Sequence, residues 1–474
     1  MSRAAAIFDL DRTVLRGSST PAIMRHLQEA GLANRGFPAE RLFQATFDLF
    51  GESTVGMRAA RGHSGVKPGW TVAEIAEIGE TIADELMDRV QPFVPSLLAQ
   101  HKAAGRTLVL ATASNQASIQ GLADRLGFDH VVATRWAVDG DSYTGELDGV
   151  RLMGAEKCAA VLAWADAEDV DLSQSWAYSD SRYDAPLLSA VGNAVAVNPD
   201  VPLAIMAVRR GWTIRFLDKP EGVIKVAGRE LQDWLRPLSR PGADPLATIV
   251  MEGVENIPAE GGAVLVFNHR SYYDSSAVSY VLGASGRNAR FLGKKEVFDV
   301  PVAGLVAKAM GGIRVDRGTG SDEPLDRAID ALQGGDIIAL APQGTIPRGP
   351  AFFDTDLVGR WGAARLAIAA GVPVIPVALW GTEKVWPRSS RVPTVTMPGR
   401  HKPVVTVTVG APFKITGKDP DKVTKTIMSK LVALLPPEAR VKRTPTDAEL
   451  LATFPPGYKG DPSREAERRP GRDV

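Results

Sequence analysis

The sequence has little cysteine, no excess charge of either sign and no long apolar run. Cys158 is the single cysteine among 474 residues, which excludes an internal disulfide and is typical of a reducing compartment. Lysine plus arginine and aspartate plus glutamate both number 55, so no overall field attracts nucleic acid. The longest apolar stretches, such as 300–313 and 371–381, fall short of the roughly 18 residues that a membrane-spanning helix needs.

The first ten residues also lack the features of a secretory signal. They contain one basic residue and a short apolar strand that runs into acidic residues, without an apolar h-region or a cleavage site of small residues. We therefore expect a cytoplasmic protein without a transmembrane helix. Attachment to a membrane surface stays open.

The chain does have enough apolar material for more than one domain. At 474 residues with 45% hydrophobic residues, at least two cores are expected. Strand patterns alternate with helical patterns on both sides of a proline-rich stretch, which indicates α/β domains with helix-covered sheets. The sequence predicts a first domain at 1–219 with a helical cap at about 18–92, a linker with a short amphipathic helix at 220–245, a second domain at 246–436 and a flexible polar tail at 437–474.

Two aspartates near the start predict a phosphoryl-transfer site. Asp9 and Asp11 flank Leu10 where an apolar strand ends, and strand alternation directs both carboxylates to the carboxyl edge of the sheet. Ligands bind α/β sheets at that edge. Because neighbouring carboxylates repel each other unless a cation or a shared proton neutralises them, a Mg²⁺ site is the economical explanation.

These aspartates open a series of four motifs. The string Phe-Asp-Leu-Asp-Arg-Thr-Val at 8–14 is followed in order by Thr112, Lys157 and the string Ser-Asp-Ser-Arg-Tyr-Asp at 179–184. The series resembles the haloacid dehalogenase superfamily, in the branch of phosphoserine phosphatases with a small helical cap. The resemblance implies a Rossmann-like fold in which Asp9 is the phosphoryl-accepting nucleophile and Asp11 the general acid and base. Thr112 and Lys157 would hold the phosphate.

The same resemblance implies a Mg²⁺ cofactor. Asp9, the carbonyl of Asp11, and Asp180 would hold the ion, and Asp184 would support that shell. Ser179 stands where glycine is usual. Candidate substrate contacts from the cap are Arg58, Arg61, His63 and Lys67.

A histidine and an aspartate in the second half predict acyl transfer. His269 and Asp274 lie on one loop between a buried strand at 263–267 and a helix. The carboxylate can fix the imidazole tautomer while His269 takes a proton from an acceptor hydroxyl, which then attacks a thioester carbonyl directly. A pair of this kind can also be a loop cap.

Further blocks accompany this pair at 294–298, 312–317, 342–349 and 372–377. Together they resemble the glycerolipid acyltransferase family, which implies an α/β glycerolipid acyltransferase fold with His269 and Asp274 as catalytic residues. The residues implied in substrate binding are Arg314, Arg317, Gln343, Gly344, Thr345 and Arg348. The third block has Gln343 where glutamate is usual and Ile346 where arginine is usual, and Arg348 can supply the displaced guanidinium.

Both resemblances together imply a bifunctional enzyme of phospholipid synthesis. It would transfer an acyl chain from acyl-CoA or acyl carrier protein to 1-acylglycerol-3-phosphate, giving phosphatidate, and would carry a Mg²⁺-dependent phosphomonoester hydrolase. Its partners would be a lysophospholipid, an acyl thioester, acyl carrier protein as one alternative donor, and the inner face of the membrane, with no nucleic acid. Two alternatives stay open, namely a small-molecule phosphatase acting on a phosphoserine-like substrate, and an acyltransferase with an inactive regulatory first domain.

Overall fold

The computed structural model describes residues 3–31, 68–226, 228–299, 301, 303–315, 323–395, 401–461 and 463. They form two compact units, Met1–Glu221 and Gly222–Val474. Each unit has its own central sheet with helices packed on it, which confirms the prediction of two α/β domains.

A six-stranded parallel sheet forms the centre of the first unit. In spatial order its strands are β3 (His130–Thr134), β2 (Thr107–Asn115), β1 (Ala5–Phe8), β6 (Trp176–Ser179), β7 (Asn193–Val197) and β8 (Thr213–Arg215). A separate antiparallel hairpin consists of β4 (Trp136–Asp139) and β5 (Ser142–Leu147). The described helices are α1 (Thr20–Glu29), α2 (Val72–Met87), α3 (Val94–Ala103), α4 (Gln116–Leu126), α5 (Ala155–Ala167), α6 (Ala185–Ala190) and α7 (Val201–Arg210).

Strand β1 is buried on both faces. Ala6 and Phe8 belong to one hydrophobic cluster and Ala5 and Ile7 to another, because successive side chains of a strand point to opposite faces. This double burial explains why the strand is continuously apolar rather than alternating. Phe8 is level with residues of both β2 and β6, so the next residue, Asp9, emerges at the carboxyl edge between two neighbouring strands.

Two helices of the predicted cap segment are described. Helix α2 begins at a capping box in which Thr71 and Glu74 satisfy each other's backbone N–H groups. The remainder of the cap, residues 32–67, lies outside the described residues, together with the candidate contacts Arg58, Arg61, His63 and Lys67.

A seven-stranded mixed sheet forms the centre of the second unit. In spatial order its strands are β11 (Thr248–Glu252), β17 (Val404–Val409), β16 (Val374–Trp380), β12 (Ala263–Phe267), β15 (Ile337–Leu340), β13 (Ala289–Lys294) and β14 (Ile313–Val315). Among the described strands of this sheet, β16 and β17 are the one antiparallel pair. All five residues of β12 are buried, and the loop that follows this central strand carries His269.

The described helices of the second unit are α8 (Leu231–Leu235), α9 (Asp274–Ser285), α10 (Lys295–Phe298), α11 (Ala303–Ala309), α12 (Glu323–Gln333), α13 (Gly362–Ala370), α14 (Thr382–Val385), α15 (Pro420–Leu434) and α16 (Asp447–Ala452). No helix in the described part of either unit combines the length and apolar character needed to cross a bilayer.

The prediction of a linker at 220–245 is wrong, because from Gly222 onward this segment is part of the second unit. It forms the short hairpin β9 (Lys225–Val226) and β10 (Arg229–Glu230) and then α8, whereas the sequence predicted one short amphipathic helix. Arg290 is fully buried and pairs with Glu230 at 2.5 Å and with Asp336 at 3.0 Å. Proline-rich composition suggested a linker, but this long-range buried ion pair, which local composition does not reveal, ties the segment to the sheet.

The predicted flexible tail is also partly wrong. Helix α16 begins at a capping box between Thr446 and Glu449. Thr453 Oγ1 accepts a 2.7 Å hydrogen bond from the N–H of Gly349, and Phe454 is only 1% exposed. One buried aromatic ring therefore anchors a segment whose overall composition is polar. Residues 464–474 lie outside the described residues.

Candidate active sites

The two predicted catalytic aspartates of the first unit are both located at the carboxyl end of β1. The N–H of Asp9 donates to the carbonyl of Tyr178 on β6, and the side chain of Asp9 is nearly buried. Asp11 lies in the tight turn after β1, and its Oδ1 accepts a 2.6 Å hydrogen bond from the N–H of Ser19. The turn thus places two carboxylates where the topology of the sheet leaves a ligand site.

A buried lysine joins the nucleophile to a second carboxylate. Nζ of Lys157, near the start of α5, lies 2.8 Å from Oδ1 of Asp9 and 2.7 Å from Oδ2 of Asp184. Burial alone would lower the pKa of Lys157, but Asp184 and Asp9 outweigh it and hold the pKa above its ordinary value. Lys157 is therefore a permanent cation beside the group predicted to accept the phosphoryl.

Burial acts on the aspartates in the opposite direction. Desolvation raises the pKa of Asp9 to about 7, even though Lys157 opposes the shift, because one ammonium group must serve two carboxylates. Desolvation also raises the pKa of Asp11, against the hydrogen bond from Ser19. A raised pKa suits Asp11 to donating and accepting a proton near neutral pH.

Ser179, in the position where the motif usually has glycine, takes part in this network. Its hydroxyl donates to Oδ2 of Asp184 over 2.7 Å and accepts the N–H of Ser181 over 3.2 Å. The side chain is fully buried. The departure from the motif therefore adds a hydrogen bond to Asp184 rather than removing one.

Thr112 lies on β2 and is also buried. Its Oγ1 accepts the N–H of Ser114, and the hydroxyl of Ser114 lies 3.0 Å from that of Ser19. The sequence prediction missed both serines. The contact between their hydroxyls connects the end of β2 with Ser19, whose N–H binds Asp11. The position of Ser114, two residues after Thr112, is the sequence signal that could have identified it.

The acidic side chains fit the predicted Mg²⁺ ion in their chemistry. Asp9 and Asp180 supply nearly buried carboxylate oxygens, which are hard donors of the kind that Mg²⁺ prefers. Among the described residues, no group of three or more His, Cys, Asp or Glu side chains is arranged to hold a metal. The predicted set does not require such a group, because its third ligand is the backbone carbonyl of Asp11.

The two predicted catalytic residues of the second unit are in direct contact. Nδ1 of His269 lies 2.6 Å from Oδ2 of Asp274, the first residue of α9. Asp274 is fully buried, and the imidazole remains partly exposed. Since an ionised carboxylate can only accept, Nδ1 carries the proton and leaves the Nε2 lone pair to act as a base.

Gln343 supports the same loop. Its Oε1 accepts a 2.7 Å hydrogen bond from the N–H of His269, a role that needs an acceptor but no charge. Gly344 follows with a φ of +69°, a conformation that favours glycine. Thr345 and Arg348 lie in the same block and are half-buried.

One guanidinium that contacts this block comes from a residue the sequence prediction missed. Ile346, in the usual arginine position, is buried at 3% exposure, and its carbonyl accepts a 2.5 Å hydrogen bond from Arg388. Arg388 is distant in sequence and lies in no motif, so only the fold brings it here. Arg348 has interactions of its own.

Arg270 is a second residue that the prediction passed over. Its guanidinium pairs with Glu383 at 3.1 Å and lies over the rings of Phe352 and Trp380, at 4.3 and 4.4 Å from their centroids. These contacts brace the residue directly after His269.

One predicted acceptor-phosphate residue, Arg314, lies at the edge of the second sheet. Arg314 is on the edge strand β14 and pairs with Asp299 at 3.1 Å. Arg317 lies outside the described residues.

Comparisons with known proteins match each of the two units to a different family. The family model of haloacid dehalogenase-like hydrolases matches residues 6–189, and the acyltransferase family model matches residues 248–380. The chain is 36% identical over 227 residues to the inhibition of morphological differentiation protein of Streptomyces azureus, covering 46% of this chain and 80% of that protein.

Two further relatives represent one unit each. Phosphoserine phosphatase SerB1 of Mycobacterium tuberculosis is 38% identical over 222 residues, covering 45% of this chain and 70% of that protein. The chloroplastic 1-acyl-sn-glycerol-3-phosphate acyltransferase LPAT1 of Arabidopsis thaliana is 30% identical over 149 residues, covering 31% of this chain and 40% of that protein. The chain therefore belongs to the haloacid dehalogenase-like hydrolase family through its first unit, and its second unit is similar to acyltransferases.

Proposed function

We propose that the second domain transfers an acyl chain from acyl-CoA or acyl carrier protein to 1-acylglycerol-3-phosphate, giving phosphatidate. The contact between His269 and the buried Asp274 carries this proposal. Asp274 holds the imidazole in the tautomer whose Nε2 can take the proton of the acceptor hydroxyl. The resulting oxygen attacks the thioester carbonyl, the C–S bond breaks, and the imidazolium returns its proton to the thiolate.

The acceptor phosphate would bind the basic residues predicted for it. Arg314 and Arg317 carry the positive charge that a phosphate monoester requires, and Arg348 is a third cation of the predicted set. Since Gln343 is occupied with the N–H of His269, we assign it to positioning that loop rather than to binding the headgroup.

We propose that the first domain is a Mg²⁺-dependent phosphomonoester hydrolase. Asp9 attacks phosphorus and becomes phosphorylated, while Asp11 protonates the leaving oxygen and afterwards takes a proton from the water that hydrolyses the phospho-aspartate. Lys157 and Thr112 would hold the phosphoryl oxygens. Mg²⁺, held by Asp9, Asp180 and the carbonyl of Asp11, would neutralise charge on the transferring group.

A lipid acceptor and a long acyl chain require access to the bilayer, and we propose attachment to the inner face of the membrane. Surface side chains of the second unit support this. Trp234 is 49% and Leu305 72% exposed, and both lie in segments rich in apolar residues. Arg229 lies over the ring of Trp234, and Lys308 is exposed one turn beyond Leu305, so cations that suit anionic headgroups accompany the apolar groups.

The test is acyl transfer from labelled acyl-CoA and acyl carrier protein to a panel of lysophospholipids and glycerol 3-phosphate, with phosphatase activity assayed on the same preparations. We expect wild type and Asp9→Asn to form phosphatidate and His269→Ala to form none, while Asp9→Asn alone loses phosphatase activity. If His269→Ala acylates as fast as wild type, the proposed acyl-transfer mechanism fails. Tight Mg²⁺ binding without hydrolysis of any phosphomonoester would instead support a regulatory first domain.

A further inference from the structure

Arg12 lies in the tight turn after β1, between the two predicted catalytic aspartates and Thr13. Its φ of +59° is unusual for a residue with a side chain. The N–H of Arg12 donates to the carbonyl of Gly17, and its own carbonyl accepts long hydrogen bonds from the side-chain amides of Gln91 and Asn198. Three separate parts of the first unit therefore hold this backbone in place.

The side chain of Arg12 contacts a predicted Mg²⁺ ligand. Its Nε lies 3.2 Å from Oδ2 of Asp180, and this carboxylate side chain is only 9% exposed. The N–H of Asp180 also donates to Oγ1 of Thr13 over 3.0 Å. The turn after β1 thus holds both the backbone and the carboxylate of Asp180.

Asp9, Asp180 and Asp184 each form an ion pair at this end of the sheet. Lys157 serves Asp9 and Asp184, and Arg12 serves Asp180. An unpaired carboxylate in a largely dry site is costly, so these pairs stabilise the site when no metal is bound. Mg²⁺ needs oxygens from the same carboxylates. If the Arg12 guanidinium leaves Asp180, the ion pair is lost, and if it stays, it repels the ion, so in both cases Arg12 weakens Mg²⁺ binding.

We propose that Arg12 is a positioning residue that acts as the counter-cation of Asp180, stabilising the metal-free site and weakening its affinity for Mg²⁺. The inference rests on the Mg²⁺ site of the proposed function but not on which phosphomonoester is hydrolysed. The first domain therefore stays folded without metal, and it needs a higher Mg²⁺ concentration to bind the ion than it would need without Arg12.

The first test is calorimetric titration of the metal-free full-length chain with Mg²⁺. The variants are Arg12→Gln, the charge-retaining Arg12→Lys, and Arg16→Gln as a control for an exposed arginine four residues away. Asp180→Asn identifies the heat that belongs to this site. We expect Arg12→Gln to tighten Mg²⁺ binding by about 5-fold or more, and Arg12→Lys and Arg16→Gln to stay within about 2-fold of wild type.

The second test separates this role from a merely structural one. Arg12→Gln should lower the Tm of the first unit in EDTA and regain the wild-type Tm in saturating Mg²⁺. An equal loss of Tm in both conditions, or Mg²⁺ binding no tighter than wild type, overturns the inference while leaving the proposed phosphatase standing. If the wild-type chain itself binds no Mg²⁺, the metal site of the proposed function fails and this inference fails with it.

Discussion

His269 and Asp274 form a hydrogen bond of 2.6 Å between Nδ1 and Oδ2. The same Oδ2 accepts the backbone N–H groups of Arg270 and Ser271, at 2.7 and 2.8 Å. The backbone of the loop that carries the imidazole therefore holds this carboxylate, which belongs to the first residue of α9. This arrangement orients the imidazole before any substrate binds.

Replacing the carboxylate should separate orientation from binding. In Asp274→Asn the amide can present its N–H group to Nδ1, which favours the wrong tautomer, so kcat for acyl transfer should fall roughly 10²- to 10⁴-fold. KM for both substrates should change little. Steady-state kinetics would check this, with Glu260→Gln, an exposed carboxylate of the same unit, as the control. An unchanged kcat would leave the pair as a loop cap.

A substitution at Gln343 can add a negative charge beside His269 while keeping the shape of the side chain. Gln343→Glu keeps an acceptor for the N–H of His269 but adds a negative charge, which favours the protonated imidazole. The acidic limb of the pH–rate profile for acyl transfer should therefore move to higher pH. Gln343→Leu should instead leave the N–H without its acceptor and lower activity at every pH. A profile that does not move in Gln343→Glu would contradict the assigned contact.

Ser179 should matter for stability more than for chemistry. In Ser179→Ala the hydroxyl bond to Asp184 is lost, which should lower the free energy of unfolding of the first unit by about 1–3 kcal/mol. Phosphatase kcat should fall by less than about 10-fold, because Lys157 still binds Asp184. Denaturation and kinetics on the same preparations would check both parts. Lys157→Met is the contrasting variant and should abolish turnover.

The raised pKa of Asp9 predicts a pH dependence of stability without metal. An unfolded chain releases this proton near pH 4, whereas burial holds it in the folded state up to about pH 7. The unfolded state therefore binds fewer protons in this window, and stability should fall as pH rises from about 4 to about 7 and then level off.

Thermal unfolding in EDTA would measure this effect as the difference in Tm between wild type and Asp9→Asn across that window. The difference should fall with rising pH, and Mg²⁺ should flatten it, because the ion stabilises the carboxylate form. A difference that rises with pH would mean that Lys157 outweighs desolvation.

Arg290 should be essential to the fold of the second unit. Arg290→Met removes the guanidinium that pairs with the buried carboxylates of Glu230 and Asp336, which should cost about 3–5 kcal/mol. Limited proteolysis should then cut first within 222–245, because that segment loses its anchor. Arg287→Met, which removes hydrogen bonds to backbone carbonyls at a more exposed position, is the matched control. Equal resistance of Arg290→Met and wild type would refute the anchoring role.

The sequence by itself determined the two α/β domains and brought the main catalytic candidates into view. Asp9 follows a continuously apolar strand, and parallel topology then allows only the carboxyl edge of the sheet as its location. His269 and Asp274 are five residues apart across the start of a helix, so local geometry alone lets them meet. Short-range pattern was sufficient in both cases.

Only the tertiary structure decided the contacts between residues that are distant in sequence. Arg388 reaches the carbonyl of Ile346, and Arg290 anchors a segment whose prolines suggested a linker. Phe454 is buried, although it belongs to a polar tail whose composition predicted flexibility. Burial and ion pairing depend on which distant chain segments pack together, and a local pattern of prolines or charges carries no information about that partner.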